Sequence, residues 1–170
     1  AMQAVNAPLL LMSYLNPLLA FGFAELAMAA EHARVAGFIV PDLPFDEGSE
    51  LQRALEARGI ALVQMATPVT TPERLAKVCG ASRGFVYAVT MTGTTGKNVA
   101  VPDNVIAYLD RVRAVSPVPV CAGFGIRSRE QVARLAGHVD GVVVGSALVE
   151  VLERGEDPAA WLRTLRPGAG

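Results

Sequence analysis

Short apolar segments rich in β-branched residues recur along the chain, and amphipathic segments separate them. Each apolar segment has the length of a strand and lacks the alternation of a half-exposed one. This pattern predicts strands that are buried on both faces, as in a parallel sheet. The six predicted strands span residues 9–14, 37–40, 60–65, 84–89, 118–122 and 141–144.

The segments between the predicted strands carry helix signals. Thr71 offers an N-cap with Pro72 at the first helical position, and Ser128 and Gln131 have the spacing of a capping box. A strand followed by a helix, repeated along the whole chain, predicts an α/β protein with right-handed crossovers. Two architectures have this order, a doubly wound open sheet and a (β/α) barrel, and both bind ligands at the carboxyl ends of their strands.

Glycines follow the last two predicted strands, at the ends where a ligand would bind. Gly123 and Gly125 flank Phe124 after the fifth strand, and Gly145 and Ser146 open a helix after the sixth. Glycine lets backbone N–H groups approach an anion closely, and a helix N-terminus supplies unpaired donors. The two junctions therefore predict a phosphate site built from backbone, although glycines after strands can also simply turn the chain.

The position of this predicted phosphate site favours the barrel. Many (β/α)8 barrels bind phosphate with the loops after their seventh and eighth strands. If the two glycine junctions are those loops, the chain represents strands 3 to 8 of a (β/α)8 TIM barrel. Residues 1–170 then form a single barrel domain without its first two βα units. The length agrees, because a full barrel needs about 250 residues.

Polar residues at other strand ends are further candidates. The segment 90–98 is long for a connection between a strand and a helix. Its hydroxyl groups and glycines indicate an active-site lid or, alternatively, a tolerated surface insertion. Tyr87, on the strand before it, is either a core residue or one that places its hydroxyl on a ligand. Asp42 follows the second strand between two prolines, which suits a catalytic residue, a protein interface or a helix cap.

The charge balance excludes some classes of partner. The chain has 15 Lys and Arg residues against 16 Asp and Glu, a net charge of −1, which provides no basic surface for nucleic acid or an anionic membrane. No apolar run reaches the roughly 18 residues that span a bilayer. The first residues lack the pattern of a secretory signal, so we expect a cytoplasmic location. The spacing of the cysteines and histidines matches no metal site.

Five motifs, taken in order, resemble the tryptophan synthase α subunit family along essentially the whole chain. They lie at residues 12–17, 40–44, 84–87 leading into 93–96, 123–126 and 145–147. The chain corresponds to about the last two-thirds of that (β/α)8 barrel.

The resemblance implies a carbon–carbon lyase of tryptophan biosynthesis. Such an enzyme cleaves indole-3-glycerol phosphate to indole and glyceraldehyde 3-phosphate by retro-aldol chemistry. It also implies that indole passes to a β subunit in an α2β2 complex. Pyridoxal phosphate would belong to that β subunit, and no cofactor is expected in this chain.

The resemblance assigns roles to individual positions. Supporting catalytic roles fall to Tyr87, near the reacting centre, and to Thr95, which orders a catalytic aspartate when the lid closes. The positions facing the β subunit are Asn16, Asp42 and Pro44. The positions that bind the phosphate or line the indole pocket are Tyr14, Gly96, Phe124, Gly125, Gly145 and Ser146.

The acid/base glutamate of this family and its partner aspartate belong to positions before Ala1, so neither is among the 170 residues. The reaction needs a carboxylic acid to protonate the indole ring carbon and a carboxylate to accept the ring N–H proton. We therefore expect little or no lyase activity from this chain alone. Phe85 stands where the family also has tyrosine, and Thr94 replaces a more usual valine.

Two other functions fit the same residues. One is another phosphate-binding barrel enzyme of amino-acid biosynthesis, which would have different acid/base residues on its early strands. The other is a non-catalytic α-type partner that activates a β subunit through Asn16, Asp42 and Pro44.

Overall fold

The computed structural model describes residues 6–90, 101–123 and 125–166. Strands alternate with helices along these residues, as the apolar pattern predicts. The strands are β1 (Leu9–Met12), β2 (Val35–Ile39), β3 (Ala61–Ala66), β4 (Val86–Val89), β5 (Val120–Gly123) and β6 (Gly141–Val143). The helices are α1 (Leu15–Phe21), α2 (Phe23–His32), α3 (Ser49–Glu56), α4 (Pro72–Ala81), α5 (Asp103–Val115), α6 (Arg129–Leu135), α7 (Ser146–Glu153) and α8 (Pro158–Thr164), with a short 3-10 helix (Phe45–Glu47) before α3.

The strands form one parallel sheet, in which each strand pairs with the next strand along the chain from β1 to β6. A doubly wound sheet reverses its direction of growth at a switch point. A (β/α) barrel instead adds every strand on the same side. The strand order therefore decides between the two predicted architectures, and the described sheet is an arc of a barrel.

Successive residues of a strand pack into different hydrophobic clusters, one on each face of the sheet. On β4, Val86 and Ala88 are fully buried in the cluster that packs against α4, α5 and α6. Tyr87 lies between them and packs on the opposite, inner face of the sheet with Ile39 and Val63. A second outer cluster joins β2 and β3 to α1, α2 and α3. Because side chains of a strand alternate between its two faces, the inner face has its own set of residues.

The predicted burial on both faces fits β2 and β4, in which most residues are buried, and is wrong for β1. Leu11 is 38% exposed and Met12 is 53% exposed. Within the described residues β1 pairs with β2 alone, so no further strand covers its outer edge. The residues of β6, at the other edge of the sheet, are half-buried.

Some strand boundaries differ from the predicted ones, because a residue at the end of the predicted strand belongs to another element or cannot pair in the sheet. β1 ends at Met12 rather than at residue 14, because Tyr14 is the N-cap of α1. β5 begins at Val120 rather than at residue 118, since Pro119 has no N–H to donate to the sheet. β2 begins two residues before its predicted start.

Both predicted helix caps are confirmed. Thr71 Oγ1 accepts a hydrogen bond from the Arg74 N–H at 3.4 Å, at the start of α4. At the start of α6, Ser128 Oγ accepts from the Gln131 N–H at 3.3 Å, and Gln131 Oε1 accepts from the Ser128 N–H at 3.1 Å. These bonds satisfy N–H groups that the first turn of a helix leaves unpaired.

Tyr108 of α5 is buried in the outer cluster, and its hydroxyl has no hydrogen-bond partner in the described part of the chain. Burial, and then the charge of Cys79, raise the pKa of this hydroxyl above its ordinary value of 10.0, whereas Arg111 acts in the opposite direction. The folded protein therefore favours the neutral phenol. The unfolded chain ionises first as the pH rises, so the free energy of unfolding is unaffected by the ionisation of this group below pH 10.0 and falls as the pH rises above it.

We expect Tyr108→Phe to raise the free energy of unfolding by about 1 kcal/mol at neutral pH, because an unsatisfied buried polar group costs about 1–3 kcal/mol. The variant should also lose less stability than the parent as the pH rises above 10.0. Urea unfolding at several pH values measures both effects. Tyr14→Phe makes the same chemical change on an exposed ring and should alter neither. A Tyr108→Phe variant that is less stable than the parent would contradict this account.

Candidate functional site

The carboxyl ends of the six strands lie at one edge of the sheet, because the strands are parallel and pair in sequential order. Most of the predicted site residues follow these strand ends directly. They are Tyr14 and Asn16 after β1, Asp42 and Pro44 after β2, Gly125 after β5, and Gly145 and Ser146 after β6. The structure therefore places the described candidates along one rim.

Tyr87 has its ring buried on the inner face and its hydroxyl close to the carboxyl end of the next strand. An ideal Cβ built on Gly123 would lie only 2.2 Å from Tyr87 Oη. Gly123 ends β5, so the hydroxyl lies at the ligand edge of the sheet. The core role predicted for the Tyr87 ring is confirmed. Contact of its hydroxyl with a ligand stays a prediction. Burial raises the pKa of this hydroxyl, which keeps it protonated and able to donate a hydrogen bond at neutral pH.

The ends of β4 and β5 are held together around Gly123. The N–H and the hydroxyl of Thr90 both donate to the Gly123 carbonyl, at 2.9 and 2.7 Å. Thr90 is the residue that follows β4 and begins the predicted lid. Gly123 is therefore held on one side by Thr90 and contacted on the other by the Tyr87 ring.

The two glycine junctions differ in how they use glycine. Gly125 has a φ of 81°, a conformation that residues with a Cβ rarely adopt. Gly145 is the N-cap of α7, and a Cβ added there would meet no atom of the described residues within 4 Å. The space above Gly145 is therefore open to a ligand.

The start of α7 offers backbone donors beside this open space. The first hydrogen bond of the helix runs from the Leu148 N–H to the Gly145 carbonyl at 2.9 Å. The N–H groups of Ser146 and Ala147 come before it and have no hydrogen-bond partner in the described ranges. Unpaired N–H groups and the positive end of a helix dipole are suited to bind an anion.

The rim after β1 and β2 is organised by Asp42. Its Oδ1 accepts a hydrogen bond from the Leu15 N–H at 2.8 Å and so caps α1 from the neighbouring loop. Tyr14 is 69% exposed at this cap, and Asn16 and Pro44 are also exposed. The capping role of Asp42 is confirmed. The pocket role of Tyr14 and the interface roles of Asn16, Asp42 and Pro44 stay predictions.

A cavity of about 160 Å³ lies at the carboxyl ends of β2 and β3, with Leu43, Phe45 and Met65 in its wall. The Arg74 guanidinium fixes this wall from α4. Its Nη1 donates to Asp46 Oδ2 at 2.7 Å, and its carbon lies 6.0 Å from the centre of the Phe45 ring. Phe45 and Met65 are absent from the predicted site. The alternation of residues on β3 places Met65 on the inner face and could have indicated it.

Some predictions concern residues outside the described ranges. They are Thr94, Thr95 and Gly96, with the rest of the predicted lid beyond Thr90, and Phe124 in the junction after β5. Within the described ranges, no helix is both long and apolar enough to cross a membrane. The same ranges contain no group of three or more His, Cys, Asp or Glu side chains that could hold a metal ion.

An arc of sequentially ordered parallel strands defines a (β/α) barrel protein, a class that binds its ligands at the carboxyl edge of the strands. A family model of the tryptophan synthase alpha chain matches residues 1–165. The chain belongs to this family.

Individual relatives agree with the family assignment. The tryptophan synthase alpha chain of Carboxydothermus hydrogenoformans is 43% identical over 153 residues, which is 90% of this chain and 57% of the relative. That of Bacillus mycoides is 44% identical over 151 residues, 89% of this chain and 58% of the relative. The chain thus spans less than two-thirds of the length of these curated relatives.

Solved structures of the family share the fold. A structure of Mycobacterium tuberculosis tryptophan synthase has a TM-score of 0.87 at 38% identity, covering 96% of this chain and 63% of that chain. A structure of the tryptophan synthase α2β2 complex from Pyrococcus furiosus has a TM-score of 0.87 at 33% identity, covering 96% and 68%. The predicted TIM-barrel class and the predicted family are confirmed. That residues 1–170 lack two βα units of one domain stays a prediction.

Proposed function

We propose that this chain forms the phosphate-binding part of a tryptophan synthase alpha-type lyase, which cleaves indole-3-glycerol phosphate to indole and glyceraldehyde 3-phosphate. The observation that supports this most directly is the arrangement at the carboxyl edge. The junctions at Gly125 and at Gly145 and Ser146 follow neighbouring strands, and the Tyr87 hydroxyl lies at the end of the first of these strands. A substrate that carries both a phosphate and an aromatic group needs an anion-binding loop next to a surface that can hold the aromatic ring.

Each part of the proposed substrate has a counterpart in the described residues. The phosphate would accept hydrogen bonds from the first N–H groups of α7, which provide positive charge without a lysine or arginine. The indole would lie against the inner face, where Ile39, Val63 and Tyr87 form an apolar cluster. The proposal also includes the roles of Gly96, Phe124 and Thr95, which rest on the family resemblance alone.

The carbon–carbon bond breaks by proton transfer at two atoms of the indole. A carboxylic acid protonates the ring carbon while a carboxylate accepts the ring N–H proton. As the carbon–carbon bond breaks, the hydroxyl on the departing carbon returns a proton to the first carboxylate and becomes the aldehyde. The electron pair of the broken bond returns to the ring, and the nitrogen regains its proton. The family resemblance assigns these groups to a glutamate and an aspartate before Ala1. Tyr87 supports the reaction as a protonated hydroxyl near the reacting centre. In this proposal pyridoxal phosphate belongs to the β subunit, and this chain needs no cofactor.

The proposed partner is a tryptophan synthase β subunit. Asn16 and Pro44 are exposed on the rim that Asp42 organises, and indole released at the carboxyl edge would leave beside them. Co-purification with a β subunit, and its loss in an Asn16→Arg variant, tests this surface. A cytoplasmic location stays a prediction, which cell fractionation can check.

Indole release from indole-3-glycerol phosphate tests the proposed reaction. We expect little or no indole from the 170-residue chain alone. A chimera that joins the amino-terminal part of the Carboxydothermus relative to this chain should release indole, because it supplies the two carboxylates that the family resemblance places before Ala1. Turnover by the chain alone would contradict our assignment of those carboxylates. A folded chimera that binds the β subunit without cleaving the ester would instead favour a non-catalytic partner.

A further inference from the structure

An arginine–glutamate pair connects the two glycine junctions. Arg127 Nη1 donates to Glu150 Oε2 and Nη2 donates to Glu150 Oε1, both at 2.7 Å. Arg127 comes two residues after Gly125, and Glu150 comes four residues after Ser146. A bidentate salt bridge fixes the relative orientation of the two side chains as well as their distance. The pair therefore joins the loop after β5 to the helix after β6.

Each partner is anchored close to its junction. Residues four apart lie on one face of a helix, and their side chains lean toward its N-terminus, so the Glu150 carboxylate lies over the turn that begins at Ser146. The Arg127 N–H donates to Gln131 Oε1 at 2.7 Å, the same oxygen that closes the capping box of α6. The backbone of Arg127 is thus fixed to α6 while its guanidinium is fixed to α7.

The pair also neutralises a charge that would oppose an anion. A carboxylate at the start of a helix repels a phosphate at the same place. The hydrogen bonds that Arg127 donates to Glu150 raise the pKa of Arg127, so its guanidinium keeps its positive charge. Among the described residues, Arg154 also acts on Glu150, and it is itself paired with Glu156 at 2.5 Å.

We propose that Arg127 is a positioning residue, whose contact with Glu150 holds the two glycine junctions at the spacing that a phosphate group requires. This inference rests on the proposed function, because it concerns the same phosphate site. It differs from direct binding by Arg127, since both terminal nitrogens of the guanidinium are engaged with Glu150.

The dissociation constant of glycerol 3-phosphate, measured by calorimetry on the 170-residue chain, tests the inference. We expect Arg127→Met to raise it about three- to tenfold, a modest effect because the two side chains are 27% and 43% exposed. Arg58→Met is the matched control, since it breaks an arginine–glutamate pair of similar exposure, 34% and 53%, and removes the same charge away from the junctions. It should change the constant less than about twofold.

Exchanging the two residues separates positioning from direct binding. The double variant Arg127→Glu with Glu150→Arg restores the pair in reverse, and we expect it to recover affinity to within about twofold of the parent. Failure of this folded variant to recover affinity, or equal effects of Arg127→Met and Arg58→Met, would overturn the inference. If Arg127→Met does not fold, Arg127→Lys replaces it, because lysine keeps the charge but makes a single contact. Its dissociation constant should lie above that of the parent and less than about tenfold above it.

The parent chain distinguishes this inference from the proposed function. No saturable binding of glycerol 3-phosphate by the parent would overturn the phosphate site and the inference together. Binding by the parent that Arg127→Met leaves unchanged would overturn only the inference.

Discussion

Replacing Gly123 with alanine should lower the free energy of unfolding by about 1–3 kcal/mol, the usual cost of overfilling a packed core. The new Cβ would lie 2.2 Å from Tyr87 Oη, 2.4 Å from its Cζ and 2.6 Å from its Cε1. These are atoms of a buried ring that packs against Ile39 and Val63, so the ring has little room to move. Urea unfolding followed by circular dichroism measures the loss.

Gly80→Ala is the control for this substitution. Gly80 lies in α4, and a Cβ there would meet no described neighbour within 4 Å. Alanine in a helix is more stable than glycine by about 0.5–1 kcal/mol, so this variant should gain stability while Gly123→Ala loses it. Equal stability of the two variants would show that the Tyr87 ring does not restrict residue 123.

The second large effect is expected at the phosphate site. Gly145→Val should weaken the binding of glycerol 3-phosphate at least tenfold, or about 1.4 kcal/mol. The valine side chain would occupy the open space beside the first N–H groups of α7 and hold the anion away from them. Calorimetric titration of the parent and the variant measures the difference.

The stability of Gly145→Val should change little, since in the part of the chain that the structure describes no atom lies within 4 Å of the new Cβ. Gly80→Val places the same side chain on a helix away from the junctions, and its dissociation constant should match that of the parent. A variant at Gly145 that binds the ester as tightly as the parent would exclude the start of α7 as the phosphate site.

Interactions between residues close in sequence could be predicted, and those between distant residues could not. The capping box of α6 needs only Ser128 and Gln131, three residues apart, so its pattern is visible in the sequence. The Asp42 cap joins residues 27 apart, and the Arg127–Glu150 pair joins residues 23 apart. The sequence therefore leaves open whether Asp42 caps a helix, and it does not reveal the pair.

The same distinction applies to the fold. Apolar segments predict where strands lie, because buried strands consist mainly of apolar residues. They leave two architectures open, because a doubly wound sheet and a barrel share the same alternation of strand and helix and differ in the side on which each strand is added. The exposure of Met12 has the same origin, since it depends on the absence of a described neighbour beyond β1.

The sequential strand order has a consequence for how the chain folds. Each strand finds its partner one βα unit earlier along the chain, so the loops that must close are short and their entropic cost is low. Topologies with such local pairing fold faster than those that join distant segments. During synthesis each new unit can therefore be added to the sheet as it emerges, and the order of translation becomes the order of assembly.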